Sequence, residues 1–355
     1  MVKSLKTPDS GYLPIYQSTR GDVVESVHYG AIAIVDVFGN IFASYGNPQT
    51  ATFMRSSSKP FQAIPLVEMG GIDLFKMTET ELAITCASHS GTDIHTKTIF
   101  GLQQKIGVGD DDLRCGTHQP YDKTTRSLLR DRGEQPNPKH HNCSGKHTGM
   151  LGQAILMGVD TEGYTEPGHP IQTQILKTVS EICNIKISDI QLGRDGCSVP
   201  TFCMPLYHAA WGWARLTHPA DLSEKRSFAC RSITDAMTAN PFMVAGPGRL
   251  DTVLMNKTND TIISKVGAEA YQAAGIRKDA LFPGSPALGI ALKISDGDQR
   301  KLVRRAVLVE VLHQLNYLTT AKLLEFASFG PALPIYNQRN IEIGSGKPCF
   351  QLQYS

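Results

Sequence analysis

In "MRSSSKPFQA", residues 54–63, Ser56 and Lys59 stand three apart where a helix-forming run begins. Pro60 fixes that placement, because proline is tolerated where a helix has just started and its missing N–H costs little. The spacing brings hydroxyl and amine to one edge of the first turn, beside free backbone N–H groups. If burial keeps Lys59 neutral, its amine can take the serine proton, giving a Ser–Lys nucleophile. The plain alternative is that Ser56 to Ser58 cap the helix and Lys59 is a solvated first-turn lysine.

Two later stretches bear on that choice. Serine acyl-transfer enzymes with S-x-x-K carry S-D-N and then K-T-G further along the chain. Here "ASHSGT" places Ser88-His89-Ser90 about thirty residues on, and "SKVGAE" places Lys265-Val266-Gly267 much later. The order fits and the letters depart from it. A Ser88 hydroxyl and a Lys265 amine would add a second Ser–Lys pair, whereas each alone reads as a loop serine or a surface lysine.

A third cluster is "HHNCSGKHTGM", residues 140–150. Met150, Leu151, Ala154 and Ile155 mark a helix capped by Asn142 or Ser144, so Lys146 and His147 fall in its first turn. A cation there opposes the macrodipole by roughly 0.3–1 kcal/mol, which biases both groups toward neutral forms. Neutral nitrogen and thiolate are the forms that zinc accepts. The complement is "GRDGCSVPTF", where Asp195-Gly196-Cys197 precedes a predicted helix, so that Cys143 and Cys197 meet across two helix starts. No C-x-x-C or H-E-x-x-H spacing supports a metal, and a catalytic Cys143 with a histidine base is the rival reading. His140 and His141 lie outside the helix and read as surface residues. "GSGK" at 344–347 and "GPGR" at 246–249 read as turns.

These residues must be held by a fold. "GAIAIVDVFGNIFASYGN" alternates on both sides of "FGN" and reads as a β-hairpin. After "RSSSKP" a helix should run to Gly70-Gly71, with further helices near 79–87, 93–106, 145–158, 170–183, 202–214, 226–240 and 298–316. Late strands are expected in "DTVLMN", "TIISKVG" and "ALGIALKIS". The order is hairpin, helical middle, strands: an α/β (α+β) chain whose first and last strands can be neighbours. "DRGEQPNPK", 131–139, reads as a polar loop leading into the cysteine cluster.

The chain has 355 residues, 41% hydrophobic, 19% charged, with net charge +2. That balance offers no basic excess for nucleic acid. No apolar run of membrane-spanning length occurs, and the N-terminus lacks an apolar leader core, so a cytoplasmic protein is expected, with neither nucleic acid nor membrane as partner. Its eight cysteines lack paired short spacings and are expected as thiols, mostly in the core.

Taken together, "RSSSKPFQA", "CASHSGT", "HNCSGKHTGML", "GRDGCSVPTF" and the lysine of "SKVGAEA" resemble the bacterial L-asparaginase II family, the rhizobial-type zinc-containing class 3 asparaginases. The motifs span residues 55 to 267, and the length suits the family. The resemblance implies one domain, 1–355, of the serine β-lactamase, penicillin-binding-protein and glutaminase-like fold, a largely antiparallel sheet flanked by helices with a helical subdomain. Its sheet-rich part is expected at about 20–60 and 245–355, its helical part at 61–244. The resemblance further implies Ser56 as nucleophile, Lys59 as its base, and Ser88 with Lys265 as the second tandem. It implies Cys143, Lys146 and Cys197 as zinc ligands and a homodimer. Arg55 and Asp195 are read as suiting the α-carboxylate and α-ammonium of L-asparagine, with His147 beside them. The alternatives are a glutaminase or β-lactam-processing hydrolase of the same fold, or a non-enzymatic zinc-stabilised binding protein.

Overall fold

The computed structural model describes residues 11–355. Most of the N-terminal stretch read for a leader lies in residues 1–10, outside the described residues. The strands are β1 (Leu13–Arg20), β2 (Val23–Asp36), β3 (Ile41–Tyr45), β4 (Ala51–Phe53), β5 (Gln191–Arg194), β6 (Pro200–Pro205), β7 (Ile262–Val266), β8 (Tyr271–Ile276), β9 (Leu288–Ile294), β10 (Leu333–Tyr336), β11 (Glu342–Pro348) and β12 (Gln353–Tyr354). Every pairing is antiparallel. The large sheet runs β10-β11-β1-β2-β9-β8-β7, with β3 on β2 and β12 on β3.

The long strand β2 is the spine. One edge pairs with β1 over its first half and with β3 over its second, while Gly30–Asp36 pairs along the other edge with β9. Its period-two alternation sends Ala31, Ala33 and Val35 into the core shared with the helical middle, and Ile32 and Ile34 into a second core under the Val303–Gln314 helix. The small side chains on the first face let the Leu206–Thr217 helix lie directly on β2, β8 and β9. The predicted hairpin is β2–β3, and β1 pairs with β11, joining the two ends of the sequence in one sheet. This is the largely antiparallel sheet flanked by helices that the resemblance implies.

Predicted helices form at Lys59–Glu68, Glu79–Thr85, Asp93–Ile106, Ser144–Met157, Pro170–Ile182, Glu224–Ala239 and Val303–Gln314. Three expectations are corrected. "DTVLMN" lies in a helix, Leu250–Lys257, because Leu250 and Leu254 recur at i, i+4 on its buried face despite the β-favouring Thr-Val pair. "GSGK" lies within β11. The helix predicted from 202 starts at Leu206, because residues 200–205 form β6 and Pro205 stands at the cap position. A small sheet, β4-β6-β5, lies apart from the large one and anchors both the Ser56 and the Cys197 segments. Among the described residues no helix is long and apolar enough to cross a membrane.

Candidate active site

Ser56 is delivered by the small sheet. After β4 the Met54 N–H donates to the Phe202 carbonyl of β6 at 2.9 Å, and the chain turns through a 3-10 segment, Arg55–Ser58, into the Lys59–Glu68 helix. Arg55 takes a left-handed conformation, φ 51°, so strain sits one residue before the serine. The Ser57 and Ser58 hydroxyls donate to the Met54 and Arg55 carbonyls, both at 2.8 Å. The hydroxyl of Ser56, which is partly exposed, has no hydrogen-bond partner among the described residues.

Lys59 is buried, and its amine donates to the Ala87 carbonyl (2.5 Å), Ser88 Oγ (3.0 Å), Cys143 Sγ (3.2 Å) and the Asn142 carbonyl (3.4 Å). Sequence spacing pointed this amine at Ser56; the fold points it at Ser88. Lys265, fully buried on edge strand β7, reaches the same hydroxyl at 2.8 Å. Two lysines therefore share one serine. Burial, then the charge of Lys59, pushes the Lys265 amine well below its ordinary range. The glycine of "KVG" has a steric cause: a Cβ on Gly267 would stand 2.7 Å from the Met54 carbonyl oxygen, where β7 passes the Ser56 segment.

Cys143 itself caps the Ser144–Met157 helix, without a side-chain capping bond, in place of the expected Asn142 or Ser144. The Ser144 hydroxyl is turned back to the His141 carbonyl at 2.8 Å and to His89 Nε2 at 2.9 Å. Gly145 allows this helix start to press on the Glu79–Thr85 helix, since a Cβ there would overlap the Ile84 carbonyl. Cys197 sits in the tight turn between β5 and β6, not at a second helix start, with Asp195 N–H donating to the Val199 carbonyl at 2.9 Å. The Asp-Gly pair in "RDGC" sets that turn.

Lys146 and Cys197 are both buried, with the amine 2.9 Å from the sulfur. Burial lowers the Lys146 pKa, but the Cys197 and Cys143 sulfurs and Asp195 outweigh it and hold the amine up at about 12. The sulfurs, a few ångströms off, thus oppose the neutral form that the weak helix-terminus field favours. A hydrogen bond from the Cys197 thiol, aided by Lys59 and Lys146 against the penalty of burial, lowers Cys143 well below an ordinary thiol, while that same bond and burial raise Cys197.

The remaining predicted residues fall around this cluster. Arg55 Nε and Nη2 both reach Asp195 Oδ1, at 3.1 and 2.8 Å. His147 is fully buried, bonds Tyr164 through Nδ1 at 2.6 Å and leaves Nε2 without a partner. Burial, then Lys146, lowers its pKa to about 4. Tyr164 gave no signal in the sequence, lying in a turn-rich loop. His140 and His141 are buried, against the surface reading. His141 Nδ1 accepts the Cys143 N–H at 3.0 Å, so it steadies that cysteine.

Zinc can be tested against these side chains. Among the described residues no three His, Cys, Asp or Glu side chains are placed to share a metal. Two buried sulfurs, one with its pKa lowered by its neighbours, an amine and an orphaned imidazole nitrogen do meet. That soft sulfur and nitrogen set fits zinc only with Lys146 as a ligand, its proton displaced by the metal.

Comparison with known proteins places the chain among amidohydrolases of the asparaginase type. Residues 16–348, nearly the whole length, match the L-asparaginase II family, and the chain belongs to it. No curated protein matches. Among solved structures it is similar to a Bacillus subtilis glutaminase in covalent complex with 5-oxo-L-norleucine, formed by reaction with 6-diazo-5-oxo-L-norleucine. That likeness has 12% identity and a TM-score of 0.34, covering 76% of this chain and 81% of that one.

Proposed function

We propose that the protein hydrolyses L-asparagine to L-aspartate and ammonia through an acyl-enzyme on Ser56. One observation carries the reading: a single hydroxyl, Ser88, lies 2.8 Å from the Lys265 amine and 3.0 Å from that of Lys59. The carbonyls and the sulfur around Lys59 form the acceptor set of an ammonium, whereas burial favours a neutral Lys265. Lys59 gives a proton to Ser88 Oγ while the Ser88 proton moves to Lys265. Lys59, now neutral and three residues from Ser56, receives the Ser56 proton as its oxygen attacks the side-chain amide carbon. The C–N bond breaks as Lys59 returns that proton to the departing ammonia. Water then attacks the ester with Lys59 as base, releasing aspartate and the serine hydroxyl.

The Arg55–Asp195 pair supports an α-amino acid substrate. A zwitterion can enter by exchanging that ion pair for two, its carboxylate on Arg55 and its ammonium on Asp195, with no net change in charge. Zinc held by Cys143, Lys146 and Cys197 would supply fixed positive charge and keep both sulfurs deprotonated. Ammonia release from asparagine and glutamine by wild type and Ser56→Ala tests the reading. Asparagine should be the better substrate, and the variant should lose at least about a thousandfold in kcat. A Ser56→Ala protein with near-normal turnover overturns it.

A further inference from the structure

The helix Leu250–Lys257, read from sequence as a strand, carries a buried carboxylate that no motif singles out. Asp251, 2% exposed, has every polar contact in the same neighbourhood. Its Oδ1 accepts from Ser264 Oγ at 2.8 Å and Gln272 Nε2 at 2.9 Å, and its Oδ2 accepts the Val266 backbone N–H at 2.8 Å. Ser264 and Val266 are the residues immediately before and after Lys265. β7 is the edge strand of the sheet, so the Val266 N–H facing away from β8 has no strand to pair with. Asp251 takes the place of that missing strand. Behind it, Gln272 Oε1 accepts from buried Arg304, which fixes the amide with its NH2 toward Asp251.

We propose that Asp251 is a positioning residue for the amidohydrolase reaction, bracketing Lys265 on both sides so that its amine is held on Ser88. This inference rests on the Ser–Lys reading above. A carboxylate bonded only for stability could bond anywhere along β7; this one bonds the two neighbours of the lysine. Three acceptor bonds satisfy it without an ion pair to Lys265, so it orients the strand while leaving the amine to the serine. An edge strand without such a clamp can shift by fractions of an ångström, and a misplacement of about 1 Å at a reacting group can cost about a hundredfold in rate.

The test compares Asp251→Asn, Ser264→Ala and Ser56→Ala in the full-length enzyme. Asp251→Asn keeps the shape but turns an NH2 toward groups that themselves donate; kcat should fall about thirtyfold with KM within about twofold. Ser264→Ala removes one bond and keeps the charge, so about threefold to tenfold is expected, with the melting temperature little changed. The pH profile separates positioning from bulk stability. Lys265 faces Lys59 and Arg249, which oppose its charge, and Asp251 and the Cys143 sulfur, which favour it. Asp251→Asn should therefore move the acid limb of kcat/KM to lower pH, a shift that loss of stability alone does not produce. Wild-type kcat in both Asp251→Asn and Ser264→Ala, or reduced kcat with an unmoved limb, overturns the role of Asp251 while Ser56→Ala stays inactive. An active Ser56→Ala overturns the reading beneath it.

Discussion

Two buried lysines, Lys146 and Lys265, lie in one site and have their pKa values driven in opposite directions. Both are withdrawn from water, which penalises an ammonium. Lys146 sits against the Cys197 and Cys143 sulfurs and near Asp195, and its pKa is held up at about 12. Lys265 sits against a neutral hydroxyl and the Lys59 charge, and its ordinary range is pushed well down. Burial sets the stakes in both places, and the nearest neighbours decide the outcome. The sulfur side is suited to holding positive charge, the hydroxyl side to moving a proton.

The largest effects should come from crossing that division. Ser88→Ala removes the hydroxyl between Lys59 and Lys265, so the proton can no longer pass between them. We expect kcat to fall about a hundredfold to a thousandfold with KM nearly unchanged, measured by ammonia release. On the sulfur side, Cys197→Ser should act first on stability and metal content. It exchanges the sulfur 2.9 Å from Lys146 for a smaller hydroxyl, and weakening the partner of a buried donor costs about 1–3 kcal/mol. Thermal unfolding should show that loss, and metal analysis of the purified variant should find zinc reduced to a small fraction of one ion per chain. If Cys197→Ser behaves like Ser88→Ala, losing turnover with full stability and full zinc, the division of labour is wrong.

The same contrast shows where the sequence was informative. Ser56 and Lys59 could be placed from local spacing alone, because a helix start with Pro60 fixes both within one turn. That Ser88 and Lys265 meet could be read only from the order of motifs, since 177 positions separate them. The pull of the sulfurs on Lys146 was not legible, because the helix terminus is visible in sequence and the Cys197 turn is not. Even that turn had its Asp-Gly signature, masked by the helical pattern expected from residue 202. Asp251 was hidden by "DTVLMN", whose β-favouring residues obscured the helical spacing of Leu250 and Leu254. β8, in "YQAAGI", has no polar alternation because it is buried along its whole length.

Activity as a function of pH sharpens the comparison further. The proposed relay needs a neutral Lys265, whose folded pKa is depressed, so kcat/KM should be full above that pKa and fall as pH drops through it. A profile flat through the acid range down to the loss of the fold speaks against Lys265 as proton acceptor.

The smallest effect, on stability, is also the one that sets the two lysines directly against each other. Unfolded, both titrate near the ordinary value of about 10.4. In the metal-free fold Lys146 holds its proton to about 12, so its contribution is stabilising, fully present below the unfolded value and lost as pH rises toward 12. A shift of that size corresponds to about 2 kcal/mol. Lys265 is the reverse: below the unfolded value the unfolded chain binds a proton that the fold refuses, so stability is lost progressively as pH falls toward the folded pKa. Lys146→Met should therefore lower the melting temperature of chelator-treated protein at pH 7, and Lys265→Met should raise it by a few degrees while abolishing turnover. The Lys265→Met gain should shrink as the measurement moves toward pH 10, where the unfolded lysine begins to lose its own proton. Shifts of the same sign in the two variants would mean that burial, not the neighbouring sulfurs and amines, governs both lysines.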